Sequence, residues 1–116
     1  MDYYQSWFDL KTGVKDADFA RGLIHYMSYL KERGLIEGWK LCRCKLGLAP
    51  REMGEFHLQI ETKNLAQLDE AFNHVAGRSE PVESIHFAVN SKVQNVRFGL
   101  YRDFPDSMRC EGEEKF

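Results

Sequence analysis

Hydrophobic and polar positions change period several times along this chain. Glu55 to Glu61, EFHLQIE, alternates strictly, with Phe56, Leu58 and Ile60 set against Glu55, His57, Gln59 and Glu61. That is the pattern of a β-strand with one face in a core. Tyr3 to Leu10 predicts another strand, with Tyr4, Phe8 and Leu10 on one face and Tyr3, Gln5, Trp7 and Asp9 on the other. Large aromatics therefore stand on both of its sides. After a turn at Gly13, Asp16 is expected to cap a helix running to about Arg33. The stripe of that helix, Phe19, Leu23, Tyr26, Met27 and Leu30, advances by threes and fours, and Gly34 supplies its stop.

A strand is expected from Leu35 to Leu46, with its phase open, because Leu35, Trp39 and Leu41 compete with Ile36, Cys42 and Cys44 for the inner face. Gly47 to Gly54, GLAPREMG, reads as a hairpin loop longer than most. Asn64 with Gln67 three residues on predicts a capped helix, whose stripe is Leu65, Leu68, Phe72 and Val75 and whose end is Gly77. Pro81 suits the first position of a third helix carrying Val82, Ile85, Val89 and Val93, although Ile85, Phe87 and Val89 also alternate as a strand would. Val96, Phe98 and Leu100 alternate with Arg97, Gly99 and Tyr101 in a last strand ended by Pro105.

The resulting order, β-α-β-β-α-(α)-β, is that of an α+β, ferredoxin-like antiparallel sheet with its helices on one face. A single domain is expected over 1–106, and 107–116 reads as a flexible acidic tail. In this arrangement Tyr3, Gln5, Trp7, Glu55, His57, Gln59, Glu61, Arg97 and Tyr101 share the face that the helices leave bare. Exposing Trp7, Tyr3 and Tyr101 to water forgoes roughly 1.5–3 kcal/mol each, whereas sealing Glu61, Arg97 and His57 in a dry core is costly without partners. A second sheet from a homodimer, closing over a polar-lined cavity, reconciles the two.

The chain has 116 residues, 18 acidic and 16 basic, for a formal net charge of -2. This suits one domain with a real core and argues against nucleic acid, whose phosphates favour basic partners. An RNA-recognition module shares the strand order, but EMGEFHLQI has Glu55 where a small residue is needed and lacks a flanking basic cluster. There is no apolar run of membrane-spanning length and no export signal at MDYYQSWFDL, so the reading is cytoplasmic. Cys42, Cys44 and Cys110 are expected to be reduced thiols, and no ligand spacing among Cys42, Cys44, His25, His57, His74 and His86 repeats as a metal site would. No metal or cofactor is expected.

The segments YYQSWFDLK, GEFHLQIE and FAVNSKVQNVRFGLYRDFPD resemble a family of short uncharacterised bacterial proteins. Its architecture is similar to the dimeric α+β barrel superfamily, and the likeness spans Met1 to Asp106. The resemblance implies a homodimer with a cavity, in a superfamily that includes cofactor-free monooxygenases, haem-degrading enzymes and small-molecule-binding proteins. It selects no chemistry.

The candidate site is accordingly His57, as a proton-transferring catalytic residue, with Gln5, Trp7, Gln59, Arg97 and Tyr101 as ligand-binding residues. A competing reading makes the same residues a wet dimer interface, with Arg97 and Glu61 paired across it. The alternative function is a non-catalytic structural or regulatory interaction module. His25, His74 and His86 are expected in helices, as surface or packing residues.

Overall fold

The computed structural model describes residues 1–105. Along them run β1 (Asp2–Leu10), α1 (Asp16–Glu32), β2 (Gly38–Arg43), β3 (Phe56–Thr62), α2 (Leu65–Ala76), α3 (Val82–Asn90) and β4 (Val93–Arg102). The strands pair antiparallel in the order β2-β3-β1-β4, so the first and third are central. This is the ferredoxin-like α+β fold. The expected tail over 107–116 and Cys110 lie outside the described residues.

The central register opposes Trp7 to His57, Gln5 to Gln59 and Tyr3 to Glu61. Alternation then sends Tyr4, Ser6 and Phe8 toward the helices together with Leu58 and Ile60. Phe8, Phe19 and Phe56 meet there, with ring centroids 5.4 Å, 5.8 Å and 5.7 Å apart in the three pairs. Leu23, Met27, Leu30 and Ile36 complete a buried apolar centre. Tyr29, outside the predicted stripe, is buried as well, because its hydroxyl meets His74 Nε2 at 2.8 Å and joins α1 to α2.

Several local expectations change. Lys15, not Asp16, holds the N-cap position of α1 and makes no side-chain cap. Asp16 lies in the first turn, where its carboxylate accepts from Arg43 at 3.1 Å. The second strand is shorter than predicted, and pairing of Lys40 with Gln59 and Cys42 with His57 settles its phase. Trp39 and Leu41 point to the helices, while Lys40 and Cys42 share the open face.

In α2, Gln67, Leu68 and Ala71 are the buried residues, while Leu65 and Phe72 are exposed. The predicted stripe is therefore rotated by one position, because Gln67 is needed inside: its amide donates to Gly34 O at 3.0 Å and to Glu37 Oε2 at 2.8 Å. The cap itself is as expected, with Asn64 Oδ1 accepting from Gln67 N at 2.9 Å.

The third helix packs on α1 with Val82 and Val89 buried, on the same side of the sheet as the other helices. Val93 belongs to β4, opposite Leu10, rather than to α3. The reason is a β-bulge. Between the pairs Trp7–Arg97 and Asp9–Gln94, one residue of β1 faces two of β4, and Asn95 takes a φ of +55°. The extra residue lets Val93 and Val96 both face inward three positions apart, a spacing that imitates a helix.

The helical layer stops short of β4. Phe98 and Leu100 lie on the helix side, opposite Ser6 and Tyr4, yet they are 62% and 53% exposed. This shortfall opens the cleft considered below.

Candidate functional site

Across the open face the strands set out transverse rows. One row is Cys42, His57, Trp7 and Arg97, and the next is Lys40, Gln59, Gln5 and Gly99. In the first, the His57 imidazole stacks on Trp7 with centroids 4.8 Å apart and planes 11° from parallel. His57 Nε2 lies 2.6 Å from Gln5 Oε1. Because a carbonyl oxygen only accepts, Nε2 donates and Nδ1 is left as the acceptor of the neutral ring. Burial lowers the pKa of His57 below its ordinary value.

Among the predicted site residues, Gln5, Trp7 and His57 thus form one contact group, with Gln59 beside Gln5. Gly99 leaves room for the indole: a Cβ there would stand 3.3 Å from Trp7 Cζ3 and 3.2 Å from Tyr101 Cε1. Trp7 and Tyr101 therefore flank one bare patch of β4. Arg97 departs from the group. It donates from Nε to Glu52 O at 3.0 Å and pairs with the Glu52 carboxylate at 3.7 Å, within its own chain.

Glu52 reaches Arg97 because the loop after β2 crosses the ends of β3 and β1. Gly54 passes so close to Phe8 that a Cβ would be 2.4 Å from its carbonyl oxygen, and Glu55 N donates to Asp9 Oδ1 at 2.9 Å. The crossing leaves a recess of about 170 Å³, floored by Cys42, His57 and Trp7 and walled by Leu48, Pro50 and Met53. Cys42 and Cys44 are free thiols. Among the described residues, no group of three or more His, Cys, Asp or Glu side chains is placed to hold a metal ion.

On the other side of the sheet lies a cleft of about 240 Å³ between β1, β4 and the helices. Its floor is core: Phe8, Leu23, Met27, Leu30 and Leu58. Tyr4 and Phe98 stand parallel at 5.6 Å, and Phe72 meets Tyr4 edge-on at 5.1 Å. Ser6, Tyr26, His86 and Asn90 bring polar groups to the lining. None of these four side chains is hydrogen-bonded to another described residue. Burial, with a smaller contribution from Tyr4, pushes the Tyr26 hydroxyl up to about 12, so it stays protonated.

These cleft residues were missed as a site by alternation and periodicity, which assign Tyr4, Tyr26 and Phe98 to the core. The available signal was Ser6. It interrupts the inward series of Tyr4, Phe8 and Leu10 with a small polar side chain, and it is buried.

A family model described as "Family of unknown function (DUF6614)" matches residues 1–116. No curated protein matches the chain. A dimeric protein of unknown function and ferredoxin-like fold from Bacteroides fragilis NCTC 9343 superposes with a TM-score of 0.56 at 12% identity, over 88% of this chain and 95% of its own. A crystal structure of an Arabidopsis thaliana protein gives 0.71 at 10% identity, over 92% and 99%. The solution structure of that protein gives 0.66 at 8%, over 91% and 90%. At these identities the likeness is one of fold.

Proposed function

The chain belongs to this family of unknown function, and from that premise we propose that it is a homodimeric small-molecule-binding protein. Its ligand occupies the cleft between sheet and helices in each subunit. The observation that carries this reading is the combination inside the cleft: an apolar floor with four polar side chains that have no partner among the described residues. A pocket with an apolar floor and a few convergent polar groups is the common form of a ligand site.

The open sheet face is assigned to self-association. Gln5, Trp7, His57, Gln59 and Tyr101 present aromatic surface among polar groups, the composition of the core of a protein interface. The dimeric relative of the same fold supports this assignment. The recess floored by His57 and Trp7 supports a second reading, in which a ligand sits between the two sheets. His57 would be its proton acceptor through Nδ1. The free thiols of Cys42 and Cys44 support a cytoplasmic setting.

A thermal-shift screen of small aromatic fragments tests the reading. Fragments that raise the Tm of the wild-type protein should lose their effect on Ser6→Leu, which fills the cleft, and keep it on His57→Ala. The reverse pattern moves the ligand to the open face. No hits on either protein leaves the alternative, a non-catalytic structural or regulatory interaction module.

A further inference from the structure

We infer that the cleft selects uncharged planar aromatic molecules bearing a hydrogen-bonding group such as a phenolic hydroxyl, and discriminates against the corresponding carboxylates. The inference rests on the cleft reading above and adds the chemical class of the ligand.

Three observations lead to it. First, the lining carries no lysine, arginine, aspartate or glutamate. A carboxylate entering the cleft would lose part of its hydration and find no lysine or arginine to pair with, a transfer that costs more than burying a neutral hydroxyl. The surroundings already act this way on the chain's own groups, since burial raises the pKa of the Tyr4 and Tyr26 hydroxyls.

Second, the walls are flat. Tyr4 and Phe98 lie 6° from parallel, and the Tyr26 ring stands 5.6 Å from His86. Aromatic faces and edges favour a planar occupant through offset stacking and edge-to-face contact. A volume of about 240 Å³ suits a small ligand, near the ~300 Å³ at the lower end of ordinary pockets.

Third, the polar groups suit a neutral partner. Ser6, Tyr26 and Asn90 each both donate and accept, and His86 in its neutral form does the same through its two ring nitrogens. A hydroxyl or carbonyl can satisfy such a set. A site built for an anion would present donors backed by positive charge instead.

The test is calorimetric titration of the full-length protein at neutral pH with naphthol and with naphthoate. These share a ring system and differ in charge. Two filling variants locate the binding: Ser6→Leu from the sheet and Ala71→Leu from α2, each checked for folding by circular dichroism. Naphthol is expected to bind at least about ten-fold more tightly than naphthoate. Either filling variant that folds should lose naphthol binding.

Equal or tighter binding of naphthoate, still abolished by filling, overturns the charge selectivity and leaves the cleft reading intact. Naphthol binding that survives filling overturns the cleft reading and this inference with it. So does failure of both compounds to bind.

Discussion

Ser6 is the residue on which the sheet's inner face turns. Between Tyr4 and Phe8, and opposite Leu58 and Phe98, a large apolar side chain would close the core. The serine leaves a void with a hydroxyl in it. Ser6→Leu should therefore stabilise the chain by about 0.5–2 kcal/mol, as cavity filling commonly does, and calorimetric melting would show a raised Tm. A protein made more stable by losing a natural side chain is one whose cleft serves something other than stability.

On the opposite face, the titration of His57 supplies a second measurement. Burial lowers its folded pKa, so below the unfolded value of about 6.5 the unfolded chain takes up a proton that the folded ring resists. The stability held by the neutral ring is present above that pH and declines as the pH falls toward the folded pKa. Over that window the Tm of the wild type should drop more steeply than that of His57→Gln. Parallel profiles would show that the ring titrates normally. Arg97→Ala, by contrast, removes an exposed pair with Glu52 and should cost at most about 1 kcal/mol.

Among the elements, α2 is held by more than its apolar face. Asn64 caps it, and Gln67 closes back on Lys63 N at 2.7 Å while also donating to Gly34 and Glu37. Asn64→Ala should cost about 1 kcal/mol. Gln67→Ala should cost more, about 1–3 kcal/mol, because it removes a buried side chain and its three hydrogen bonds at once. Urea unfolding of the two variants would rank them. The loop after β2 depends on Gly54, whose α-carbon hydrogens face the Phe8 backbone. Gly54→Ala must move one chain or the other and should cost about 1–3 kcal/mol, with loss of the Glu52–Arg97 contact.

For the whole molecule, the open face is the decisive surface. Trp7, Tyr101 and the His57–Gln5 pair stand on a sheet that no element of the described chain covers. If that face joins two copies, light scattering should give twice the chain mass at micromolar concentration. Trp7→Arg should return the monomer, because a charge at the centre of such a face would be buried unpaired in the dimer. A monomeric wild type would remove the assignment.

The sequence by itself determined the order of elements, the centrality of the first and third strands, and the grouping of Gln5, Trp7, His57 and Gln59 on one face. These follow from periods of two and of three to four, which are set by local backbone geometry. Tertiary structure alone decided the rest. Arg97 turned to Glu52 because a loop far along the chain crosses two strand ends. Val93 joined β4 because a bulge at Asn95 shifted the alternation. The cleft exists because the helices do not reach β4, leaving Phe98 and Leu100 uncovered on a side that their pattern marks as core. Alternation says which side a residue faces, but how far another element extends over that side depends on helix packing between distant segments, and no local pattern carries that information.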